Sequence, residues 1–124
     1  MTDKNFVLEY AGTLVGAVSD SPFKDDWDTV VLRHASSGKL FGIILSVRED
    51  KIGRSGKKVI NILNLKSRPE DSLILFELYP DIVPAYHMNK THWITLPLDG
   101  CLSDNLVRSL INSSYDITKA KRKA

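Results

Sequence analysis

The chain has 124 residues, 17 Lys and Arg against 15 Asp and Glu, a formal net charge of +2 and 43% apolar residues. This describes one soluble domain over residues 1–124 and excludes two domains. The longest uncharged stretch, Tyr10 to Ser19, is about half of the roughly 20 apolar residues a membrane-spanning helix needs.

The single cysteine, Cys101, excludes an internal disulfide and fits a reducing compartment, while Asp3 and Glu9 stand where a secretory leader would be basic. A cytoplasmic location is therefore expected. Residues 1–28 hold six acids against Lys4 and Lys24, whereas Lys51, Arg54, Lys57, Lys58, Lys66 and Arg68 fall in a stretch without an acid. Residues 119–124 add a basic tail that is expected to fray.

In chain order, Phe6, Val7, Tyr10, Leu14 and Val18 recur at helical intervals and predict a helix from Asp3 to about Val18, broken at Ser21-Pro22. The β-rich run Trp27 to His34 predicts strand one, closed by the turn Ser36-Ser37-Gly38. Lys39 to Glu49 predicts strand two, with Phe41, Ile43, Leu45 and Val47 on one face. A loop at Gly53 to Gly56 reverses the chain into a third strand, Lys57 to Lys66, whose Val59, Asn61, Leu63 and Leu65 share a face.

Pro69 then opens a helix over about 69–79, capped by Ser67 or Arg68, with Leu73, Ile74, Phe76 and Leu78 as its apolar stripe. Val83 to Met88 and His92 to Leu98 predict a second hairpin through Asn89-Lys90-Thr91, and Pro97 puts that strand at an edge or near its end. Asp99-Gly100 turns the chain into a last helix capped by Ser103, with Leu106, Val107, Leu110, Ile111 and Tyr115 facing inward. The order α-β(3)-α-β(2)-α with short turns predicts a largely antiparallel sheet covered by helices, an α+β two-layer sandwich.

The densest set of chemical side chains is Pro84 to Trp93. Pro84, Tyr86, His87, Met88, Asn89, Lys90, His92 and Trp93 meet every fixed position of the pattern P-x-Y-H-M-N-K-x-H-W, and in this the chain resembles the MmcQ/YjbR family of small bacterial DNA-binding proteins. Pro22-Phe23, Asn64-Leu65-Lys66, Leu98-Asp99-Gly100 and Ser114-Tyr115 extend the resemblance over most of residues 20–117. It departs at Arg68, where an acidic cap is usual, and at Pro97. The resemblance implies a fold like that of type III secretion chaperones, in the order read above from periodicity.

It also implies nucleic-acid binding. Arg54, Lys57 and Lys58 on one hairpin and Lys90 on the other would make two basic wings with Lys66 between them. Asn89, His87 and His92 would donate to phosphate or base edges, and Tyr86 and Trp93 would offer stacking faces. The alternatives are a protein-interaction or chaperone-like adaptor using an exposed sheet face, and a small-anion pocket around Tyr86, His87, Lys90, His92 and Trp93. In the structural alternative Tyr86 and Trp93 are core anchors and Asn89-Lys90 fixes a turn.

His87 and His92 lack the further ligands a zinc site requires, and Cys101 and Asp99 match no metal spacing, so neither metal nor cofactor is expected. Without a carboxylate partner or pocket in evidence for either histidine, no enzymatic activity is expected. The chain is read as a monomer or weak dimer with no membrane partner.

Overall fold

The computed structural model describes residues 2–22 and 28–119; Phe23, Trp27 and the tail beyond Lys119 lie outside them. The elements are α1 (Lys4–Ala11), β1 (Ala17–Asp20), β2 (Val30–His34), β3 (Leu40–Arg48), β4 (Val59–Lys66), α2 (Pro69–Leu78), β5 (Val83–Pro84), β6 (Trp93–Pro97) and α3 (Asp104–Thr118), with a short 3-10 turn at Glu49–Ile52. They form one antiparallel six-stranded sheet in the order β1-β2-β3-β4-β6-β5. The α+β architecture is the expected one, with one more strand before α2 than the order α-β(3)-α-β(2)-α.

That strand comes from the segment predicted as the end of the first helix. Asp3 caps α1 by accepting from the Phe6 amide at 2.9 Å, but the helix stops at Ala11 because Gly12 carries a high conformational cost in a helix and Gly16 takes φ 71. The chain then turns into β1, whose Ala17 pairs with His34. Leu14 and Val18 sit at helical spacing without sharing a helix, and Val18 is exposed.

The main core lies between the helices and one face of the sheet: Val7, Leu32, Phe41, Ile44, Leu63, Leu65, Ile94, Leu96, Val107 and Ile111 are buried there. Phe41 reaches it through a bulge. Leu32 pairs with Gly42 and Arg33 with Leu40, so Phe41 has no partner and leaves the face of Ile43, Leu45 and Val47, where strict alternation would put it. Its ring packs against Tyr115 of α3 at 5.5 Å and His34 at 5.2 Å.

The other face carries a second, smaller core of Val47, Ile52, Ile60 and Ile62, with Leu45, Val83 and Tyr86 against it. Ile62 and Thr95 are each 0% exposed, so this face is packed over β4 and β6, whereas Val18 at the β1 edge is 46% exposed. The helix-two stripe is also corrected. Leu73, Ile74 and Leu78 are 70%, 56% and 63% exposed, and the helix meets the core through Leu75, Phe76 and Tyr79. Ser114 explains how α3 is fixed across the sheet: its hydroxyl accepts from the Lys66 amide at 2.9 Å and donates to the Phe41 carbonyl at 2.5 Å.

Candidate functional site

The second predicted hairpin is not two extended arms. Regular strand ends at Pro84, and residues 85–92 form a compact turn that re-enters the sheet at Trp93. Asn89 builds it: its side-chain carbonyl accepts from the amides of Thr91 at 2.9 Å and His92 at 3.0 Å, and its backbone carbonyl accepts from Trp93 at 3.0 Å. The Lys90 ammonium donates to the Ala85 carbonyl at 2.7 Å and bridges the turn, although the residue is exposed. Its stem and charge are thus held against the turn and do not extend as a wing.

Tyr86 anchors the turn to the sheet. Its amide donates to the Thr95 hydroxyl at 2.9 Å, its carbonyl accepts from the Asn64 side-chain amide at 2.9 Å, and the Thr95 hydroxyl donates to Asn64 at 2.5 Å. This buried chain of bonds leaves no polar atom of Asn64 or Thr95 to be hydrated, which explains an Asn and a Thr in the middle of a packed sheet. His87 follows with φ 59, in the left-handed region that few residues other than glycine occupy. Its ring is exposed and lies 4.0 Å from that of Tyr86.

Trp93 is 9% exposed and offers almost no stacking face. It pairs across the strands with Lys66, whose ammonium lies 5.4 Å from the centre of the indole. His92 is exposed, and its carbonyl accepts from the Ser67 amide at 2.8 Å, joining the turn to the start of α2. Tyr86, His87, Asn89, Lys90, His92, Trp93 and Lys66 therefore gather at one end of the sheet.

Arg54, Lys57 and Lys58 do not join them. β4 runs from Val59 beside those lysines to Lys66 beside Trp93, so its eight residues separate the two groups by about 25 Å at roughly 3.3 Å per residue. The two basic hairpins occupy opposite ends of the sheet and do not flank Lys66. Lys57 and Lys58 are exposed, whereas Arg54 is committed to acids. It pairs closely with Asp99 and lies 3.5 Å from Asp81 and 3.8 Å from Glu49.

This cluster latches the 49–58 loop to the turns after α2 and β6. The Arg54 guanidinium holds Asp99 at a pKa of about 2, while loss of hydration and the Asp99 carboxylate push the Cys101 thiol up to about 12. In the sequence Arg54 resembles a phosphate ligand because two of its three acidic partners, Asp81 and Asp99, lie 27 and 45 residues away. Among the described residues, no group of three or more His, Cys, Asp or Glu side chains is arranged to hold a metal ion.

Next to the signature turn lies an open groove of about 330 Å³ between the start of α2 and α3. Ile74, Leu75, Ile94, Leu110 and Ile117 form its apolar surface, and Lys66, Ser67, Arg68, Asp71 and Ser113 its polar margin. Arg68, Asp71 and Ile74 gave no sequence signal for it because the groove depends on how α2 sits against α3.

The YjbR family model matches residues 12–117. The chain is 34% identical to the uncharacterized protein YyaQ of Bacillus subtilis over 96% of its own length and all of that protein. It is 38% identical to the uncharacterized protein YjbR of Escherichia coli over 54% of this chain and 58% of that one. A crystal structure of a Pseudomonas syringae protein superposes with a TM-score of 0.88 at 34% identity, covering 94% of this chain and 99% of the other.

Proposed function

This chain belongs to the YjbR family, and on that premise we propose that it is a non-enzymatic binding protein that contacts nucleic acid weakly through the signature end of the sheet. The observation that carries the reading is His87. An exposed imidazole is held in a left-handed backbone conformation, against Tyr86, by a turn that Asn89 and Lys90 close through internal hydrogen bonds. Such a residue costs stability, and the surrounding bonds fix it in a presented position.

Lys66, Lys90 and His92 supply donors around it, and the His87 and Tyr86 rings supply a stacking surface for an unpaired base. The contact is directed to phosphate, and Asn89 serves the turn. Arg54 takes no part, because its charge is compensated by three carboxylates. Lys57 and Lys58, at the far end, are excluded from the contact.

The test is binding of single-stranded and duplex oligonucleotides followed by fluorescence anisotropy across a salt series. Affinity is expected to fall with salt at a log-log slope of about 0.7 per contacted phosphate on single strands. Lys66→Gln should lower that slope by about one contact, whereas Lys57→Ala with Lys58→Ala should leave it unchanged. No binding at low salt overturns the function, and a loss confined to the Lys57 and Lys58 variant overturns the location.

A further inference from the structure

We propose that the groove between the start of α2 and α3 is a binding site for a monoanion with an apolar tail, of which a medium-chain carboxylate is the simplest member. Its volume of about 330 Å³ is at the lower end of the roughly 300–1,000 Å³ of small-molecule sites. The two ends differ in chemistry. Ile74, Leu110 and Ile117 leave apolar surface open to water there, in a lining they share with Ile94 and Leu75 of the core. An aliphatic chain laid along them would remove that surface from water on both sides.

The polar end is the first turn of α2. The helix begins at Pro69, its first turn carries Glu70 and Asp71, and the residue at its cap, Arg68, makes no side-chain hydrogen bond to the first amides. A ligand carboxylate would take the place of the missing cap, with the exposed Arg68 guanidinium beside it. Lys66 and Arg68 are the cations of the lining and Asp71 its single acid, and among the described residues none of the three is in an ion pair. That balance suits one negative charge. A dianionic phosphate would meet Asp71 without gaining from the apolar wall.

The groove shares Lys66 with the surface proposed for nucleic acid but contains neither His87 nor Tyr86, so Arg68→Gln and Ser113→Trp test it without touching the His87 surface, and its failure leaves the nucleic-acid reading standing. The experiment is an NMR titration of the full chain with sodium decanoate below its micellar concentration, with 1-octanol and inorganic phosphate as parallel arms. Decanoate is expected to shift the amides of residues 67–75 and 110–117 and to saturate. Arg68→Gln, at an exposed position, should weaken it about tenfold through the lost charge-assisted bond. Ser113→Trp, also exposed, should fill the groove and abolish binding with the thermal midpoint kept.

Octanol binding as tightly as decanoate, or an unchanged Arg68→Gln, overturns recognition of the head group. Phosphate alone shifting the same amides overturns the need for a tail. Shifts that do not saturate, or that fall outside the groove, overturn the site.

Discussion

His87 separates stability from binding at a single residue. At φ 59 a glycine recovers about 1–2 kcal/mol of backbone cost, while losing the ring beside Tyr86 forfeits about 0.5–1.5 kcal/mol. His87→Gly is therefore expected to denature within about 1 kcal/mol of the parent chain, and His87→Ala to be about 1 kcal/mol less stable than the glycine variant. Urea titrations check both, and both variants should bind oligonucleotides less tightly. Asp99 carries an acid-dependent part of the stability. With its pKa taken from 3.8 to about 2 by Arg54, its contribution is full above pH about 4 and lost as pH falls through about 2. Partial exposure reduces its size to about 1–2 kcal/mol, and Asp99→Asn should flatten the stability profile in that window. His34 acts at milder pH. It is buried against Tyr115 and hydrogen-bonded to Thr118 at 2.8 Å, and burial lowers its pKa from 6.5. The unfolded chain takes up this proton first, so stability is full above about pH 6.5 and declines below it, a slope that His34→Gln should remove.

At the scale of elements, the last helix was fully legible: Ser103 caps α3, and Val107, Ile111 and Tyr115 point inward at the expected intervals. The first helix was legible at its start and misread at its end, because spacing registers Leu14 and Val18 but not the turn at Gly12 to Gly16. Gly16→Ala tests that account. No atom lies within 4 Å of the added methyl, so the cost is backbone strain alone, about 1 kcal/mol in a denaturation curve. Phe41 shows a second limit, since a bulge moves one residue to the other face and no periodic pattern marks where a ladder skips. In α2 every apolar residue counted equally in the sequence, yet Leu75 and Phe76 meet the core and Leu73, Ile74 and Leu78 do not. Only the placement of α2 beside α3 decides that, and the same placement makes the groove. The signature turn was recognisable by residue type, but the partners of Lys90 and Asn89 depend on a short-range fold that extended arms do not share.

For the whole molecule, the arrangement of charge matters more than its total. The basic stretch from Lys51 to Arg68 is continuous in sequence and divided in space, with one part at each end of β4 and Arg54 neutralised by distant acids. One consequence concerns time. Arg54 can reach Asp99 only after β4 has paired with β6 and the following turn has closed, so the latch is expected to form after the barrier to folding has been crossed. Arg54→Met should then leave the refolding rate near that of the parent and speed unfolding about tenfold for each 1.4 kcal/mol lost, as stopped-flow measurements would show. On this expectation the three carboxylates around one guanidinium set the lifetime of the folded chain and contribute little to how quickly it is reached.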